Sequence, residues 1–74
     1  MLTIHFEDKG QDFLFWKVDA AGVVIESGPF QGWVWLDCKV IGAQSLREGD
    51  LVDFADRNGK LHTLSYRVAR IEVN

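Results

Sequence analysis

The chain has 74 residues, which predicts a single domain spanning residues 1–74. Its only cysteine, Cys38, excludes an internal disulfide and, with no signal-like segment at the N-terminus, predicts a cytoplasmic protein. The net charge is −3 and no apolar run approaches about 18 residues, so neither a broadly basic nucleic-acid surface nor a membrane span is predicted.

The first third of the chain predicts three strands. Apolar and polar residues alternate from Leu2 to Phe6, as expected for a strand with one buried face. Residues 13–19 and 23–27 also predict strands, although both faces of residues 13–19 are apolar at one end, and a short turn separates the two strands. Gly22 closes that turn, because glycine readily adopts the positive φ that tight turns need. Residues 13–27 therefore predict a β-hairpin.

The stretch Trp33–Ile41 predicts a central strand. One parity is wholly apolar, whereas the other begins with two tryptophans and becomes polar. Pro29, which lacks a backbone N–H, predicts a kink or a crossing between sheets just before this strand.

The second half of the chain predicts a hairpin after a loop. Residues 42–50 form the longest gap between strand-like stretches and have room for one helical turn. Residues 51–55 predict the fifth strand. The Asn58-Gly59 pair that follows is typical of a tight hairpin, because both residues tolerate positive φ.

Residues 60–73 predict an unusually long sixth strand with an irregularity. The apolar set changes parity between Val68 and Ala69, which predicts a bulge or sharp bend at that point. Such a bend lets one strand serve two parts of a barrel.

Six strands, short turns and no substantial helix predict an all-β domain, either a small antiparallel barrel or a sandwich. The stretch Leu46-Arg47-Glu48-Gly49-Asp50-Leu51-Val52-Asp53-Phe54 resembles the loop-into-strand segment of SH3-like barrels. The resemblance implies an SH3-like shape, with OB-like and sandwich topologies left open, and it implies no particular function.

The sequence predicts no enzyme, no metal site and no cofactor. It has no phosphate-binding loop, dinucleotide fingerprint or serine-nucleophile motif. Cys38, His5 and His62 are the only soft ligand candidates, and they are 33 and 24 residues apart, whereas structural zinc uses four ligands in close pairs. Cys38 shares the apolar parity of its strand and is predicted to be a core residue, and both histidines to be exposed.

Aromatic residues suggest a binding surface for a protein or peptide partner. The predicted contacts are Trp33, Trp35, Phe30, Phe15 and Lys39. Two alternatives remain: these aromatic rings complete a second face of the core, or they form a homodimer interface.

Three cations are candidate anion contacts, namely Lys17, Arg67 and Arg70. Together with stacking aromatic rings they would suit single-stranded nucleic acid, the alternative partner. The acidic net charge argues against it, and charged residues on an edge strand also prevent sheet-to-sheet aggregation.

Overall fold

The computed structural model describes residues 1–9, 11–30 and 35–74, and for residues 11–13 it describes the backbone alone. This part of the chain is all-β, with six antiparallel strands in one sheet, as the sequence predicts. The strands are β1 (Leu2–Asp8), β2 (Gln11–Val18), β3 (Val24–Gly28), β4 (Lys39–Val40), β5 (Leu51–Ala55) and β6 (Leu61–Val73). One 3₁₀ turn, Ala43–Ser45, supplies the helical turn predicted between the fourth and fifth strands. No helix in these residues is long and apolar enough to cross a membrane.

The sheet has the strand order β3-β2-β1-β6-β5-β4 and curls into a half-barrel. Its two edge strands meet at one place, where Val23 forms an antiparallel bridge with Lys39. On either side of the bridge, the Val24 N–H donates to the Cys38 carbonyl and the Val40 N–H to the Gly22 carbonyl, each at 2.8 Å. We call this contact the seam; it brings the two edges of the curled sheet together.

The concave side of the sheet holds the core. Side chains alternate along β1 and β2, and every second one faces inward. The sequence predicts this face for β1, whereas β2 is apolar on both faces at one end and buries Leu14, Trp16 and Val18. Trp16 is fully buried at the centre, and Cys38 is buried as predicted. The buried apolar residues are Ile4, Phe6, Leu14, Trp16, Val18, Val24, Cys38, Val40, Val52, Phe54, Leu64 and Val68.

The predicted bulge in β6 is present at Ala69. His5 of β1 lies opposite Arg70, but Phe6 lies opposite Val68, so Ala69 is an extra residue in β6. The bulge reverses the parity of the inward side chains and lets the two halves of β6 follow different parts of the curved sheet.

The turn between β2 and β3 is organised by Asp19. The Gly22 N–H donates to the Asp19 carbonyl at 3.0 Å, and the Asp19 N–H donates to the Val23 carbonyl at 3.0 Å. Oδ1 of Asp19 also accepts from the backbone N–H groups of Ala21 and Val23. Gly22 has φ +85°, as its place in the turn predicts.

The turn between β5 and β6 repeats this arrangement around Asp56. Oδ1 of Asp56 accepts from the N–H groups of Asn58 and Lys60, and its carbonyl accepts from the Gly59 N–H. Gly59 has φ +82°, but Asn58 has no positive φ. The predicted hairpin is therefore confirmed, but only Gly59 of the two turn residues has a positive φ. The Asp56 carboxylate organises the turn, and a left-handed Asn58 is not needed.

The prediction of a long central strand at 33–41 is wrong where the structure describes it. Only Lys39–Val40 is a strand, and it lies at the edge of the sheet. Asp37 has φ +69°, which interrupts any extended run, and Leu36 is exposed instead of facing the core. Residues 33 and 34 lie outside the described residues.

Candidate binding surfaces

Trp35 and Phe30, two of the predicted partner-binding residues, pack against one end of the core. Their ring centroids are 5.6 Å apart, and those of Trp35 and the buried Trp16 are 5.4 Å apart. Phe30 also contacts Phe6 and Tyr66 edge-on. Both Trp35 and Phe30 remain partly exposed, so they close this end of the core and form its rim.

Phe15 and Lys39 lie elsewhere. Phe15 alternates with the buried residues of β2 and so lies on the convex face, where its ring covers Gly28: a Cβ at Gly28 would be 3.6 Å from that ring. Lys39 is exposed on β4. The structure thus brings Trp35 and Phe30 together but separates them from Phe15, and the predicted Trp33 lies outside the described residues.

The three predicted anion contacts each have a partner within the protein. Lys17 Nζ lies 3.6 Å from Glu26 Oε2, and Arg70 Nη1 lies 2.8 Å from Glu72 Oε1. Arg67 Nη1 donates to the Gly49 carbonyl at 2.9 Å. Carboxylates therefore offset two of the three positive charges, which weakens the attraction of these residues for a phosphate backbone.

A shallow groove of about 470 Å³, lined by several charged and polar residues, crosses the convex face beside Phe15. On one wall the His5 Nε2 lies 2.6 Å from Glu72 Oε1, and on the other Lys17 faces Glu26. Neither histidine is exposed as the sequence predicts: His5 and His62 are both partly buried, and each is hydrogen-bonded to a carboxylate. Lys17 and Glu26 offset each other's charge, and Glu72 already interacts with His5 and with Arg70, so the charged groups of this groove are engaged within the protein.

A larger groove, of about 550 Å³, lies at one open end of the half-barrel. We call it the end groove. It is bounded by the start of β1, the turn after β2, the 3₁₀ turn and the end of β6. Its lining residues are Met1, Leu2, Asp19, Ala20, Gly22, Ala43, Gln44, Leu46, Ile71 and Val73. Most of them are apolar, and Asp19 carries the only charged side chain among them.

The sequence does not predict the end groove, because its residues come from four separate segments of the chain. The sequence signal is weak: Met1 and Val73 are apolar residues near the two ends of the sequence, and Leu46 is an apolar residue in the loop between two predicted strands. In the structure Met1 and Val73 are 54% and 82% exposed, and Leu46 is partly buried. Periodicity shows which residues of a strand share a face, but it does not show which strand ends meet.

The ionisable groups outside these grooves serve the fold. The hydrogen bond with His62, helped by the N–H groups of Lys60 and Asn58, lowers the pKa of Asp56 below its ordinary value of 3.8. Burial raises the pKa of the Cys38 thiol, which makes it a poorer nucleophile. No group of three or more His, Cys, Asp or Glu residues in the described part of the chain is placed to hold a metal ion.

Comparisons with protein-family models, curated proteins and solved structures found no match for this chain.

Proposed function

We propose that this domain is a non-enzymatic binding module that holds an extended segment of a protein or peptide partner in the end groove. The observation that carries the proposal is the apolar lining of that groove in a domain of only 74 residues. A cytoplasmic location and an SH3-like shape of the barrel belong to the same proposal. The single buried thiol is compatible with a reducing compartment, and the curled antiparallel sheet is compatible with an SH3-like shape.

Apolar contact is the expected source of affinity. Leu2, Leu46 and Ile71 each pack against the core and also line the end groove, so their positions are fixed before a partner arrives. A leucine-sized side chain from a partner would gain about 2 kcal/mol by leaving water for such a surface. Preformed apolar surface lowers the cost of ordering the site on binding.

The aromatic residues then have a supporting role. Trp35 and Phe30 stabilise the far end of the core, whereas Phe15 covers a glycine on the convex face. We therefore place the contact surface in the end groove and not on the aromatic face that the sequence suggested.

Selection from a random linear peptide library, followed by affinity measurements on synthetic peptides, tests the proposal. Val73→Gln replaces an apolar groove residue with a neutral polar one, and Leu61→Gln is its matched control, because both residues are exposed and lie at opposite ends of β6. We expect enriched peptides to bind with a Kd below about 1 mM, equivalent to about 4 kcal/mol, and Val73→Gln alone to weaken their binding about tenfold.

Methyl chemical shifts of Leu2, Leu46 and Ile71 locate the bound peptide. Shifts confined to the residues of the end groove support the proposal. Failure to enrich any binder, or shifts centred on Phe15 and Lys17, would overturn it. A parallel titration with mixed-sequence single-stranded DNA at about 50 and 200 mM salt tests the alternative partner, since binding through phosphates weakens steeply with salt.

A further inference from the structure

We propose that the partner segment carries a lysine or arginine next to the apolar residue that enters the end groove, and that Asp19 contacts this cation. This inference rests on the proposed function, since it specifies the chemistry of the segment held in that groove. The occupant is thus a basic-apolar protein segment, and not a second copy of this acidic domain.

The position of Asp19 carries the argument. It lies in the turn after β2, borders the end groove and is the one charged side chain of its lining. Among the described residues, no Lys, Arg or His forms an ion pair with it, and of the carboxylates without such a partner Asp19 is the one that lines the end groove. The Met1 amino group belongs to a residue of the same lining but forms no ion pair with Asp19 either, so the carboxylate can contact a cation of the ligand.

The geometry of the turn holds this charge in place. Oδ1 of Asp19 accepts two backbone N–H groups, from Ala21 and Val23, so the carboxylate stays fixed in the absence of a ligand. A fixed carboxylate at the rim favours a cation at one position along an extended segment and so sets its register. The net charge of −3 adds attraction for a basic segment over longer distances.

The second Asp turn supplies a matched control. Asp56 accepts the equivalent two N–H groups in its own turn but is not among the lining residues of the end groove. In Asp19→Asn and Asp56→Asn the amide oxygen can accept the same backbone hydrogen bonds, while the charge is removed. The two variants therefore have the same net charge and the same kind of turn.

The probes are the library-selected peptides and synthetic versions with each Lys or Arg replaced by Gln. We expect Lys or Arg within two positions of the apolar residue in the enriched peptides. Asp19→Asn should weaken their binding roughly threefold to fivefold, and Asp56→Asn should not. The affinity of the Gln versions for wild type should be about as low as the affinity of the parent peptides for Asp19→Asn. The Gln versions should bind Asp19→Asn and wild type with the same affinity.

The outcomes separate this inference from the proposed function. Peptides that bind in the end groove without enriched cations, or that bind Asp19→Asn as tightly as wild type, overturn the inference and leave the binding module standing. If no peptide binds the groove, both are wrong. Self-association of the domain at the same surface, seen by sedimentation, would also overturn the inference, because a second copy would then be the occupant.

Discussion

Replacing each turn glycine by alanine tests how closely the seam is packed. Gly22 and Gly59 occupy the same place in the two Asp turns and have nearly the same φ, +85° and +82°. A Cβ at Gly59 would meet nothing within 4 Å, but a Cβ at Gly22 would lie 3.0 Å from the carbonyl oxygen of Val40. The difference between the two variants therefore isolates the steric effect at the seam.

The magnitudes follow from this geometry. Alanine in a left-handed conformation costs about 1–2 kcal/mol, and the stiffer unfolded chain returns about 0.4–1 kcal/mol, so Gly59→Ala should lose about 1 kcal/mol. Gly22→Ala has the same conformational cost, and its Cβ also comes close to the Val40 carbonyl oxygen, which belongs to backbone that has little freedom to move. Overpacking of that kind costs about 1–3 kcal/mol more, so we expect a total loss of about 2–4 kcal/mol.

Urea unfolding followed by tryptophan fluorescence measures both losses, with Trp16 as the buried reporter. Unchanged m-values would show that both variants unfold from an equally compact native state. If the two losses agree within about 0.5 kcal/mol, the close approach of Gly22 to the Val40 carbonyl is absent and our account of the seam is wrong.

Three further predictions concern the core and the ionisable groups. The pKa of Asp56 is lowered in the folded state, so its ionised carboxylate stabilises the fold fully above pH about 5, and this stabilisation is lost as the pH falls through the folded-state pKa. The urea midpoint should therefore drop more steeply on acidification in wild type than in Asp56→Asn. Parallel plots of urea midpoint against pH for the two proteins would contradict this. Trp16→Ala should lower the free energy of unfolding by about 3–5 kcal/mol, whereas Phe15→Ala on the convex face should lower it by about 1 kcal/mol. Comparable losses of unfolding free energy in urea would show that Phe15 belongs to the core. Because Cys38 is buried and its pKa is raised, its thiol should react with a disulfide reagent at least about 100-fold more slowly in the native state than in urea. The reaction is followed by absorbance, and equal rates in the two states would refute the burial of Cys38.

Much of the fold could be predicted because each local signal had a physical cause. Alternation identified the buried face of β1, and a change in apolar parity located the bulge at Ala69. Turn chemistry identified both hairpins, although the role of Asp19 and Asp56 as acceptors for their own turns was not foreseen. These signals lie within a few residues of one another, so the sequence shows them directly.

The predicted central strand is wrong because of the backbone conformation at one residue. Cys38 and Val40 are buried as their alternation implies, but Asp37 has a positive φ, so residues 35–37 do not extend the short strand Lys39–Val40. The end groove could not be located from the sequence for a different reason. Leu2, Leu46 and Ile71 become neighbours only after the sheet has curled, and their spacing in the sequence carries no sign of it.

The place of β1 between β2 and β6 also bears on how the chain folds. Residues such as Thr3 and Glu72 are neighbours across the ladder although almost the whole sequence separates them. The hairpin of β2 and β3 and that of β5 and β6 can each form from nearby residues, but joining them through β1 and β6 closes a very long loop. Such nonlocal pairing slows folding. We therefore expect the union of the two hairpins, and not the formation of either, to limit the rate at which the native domain appears.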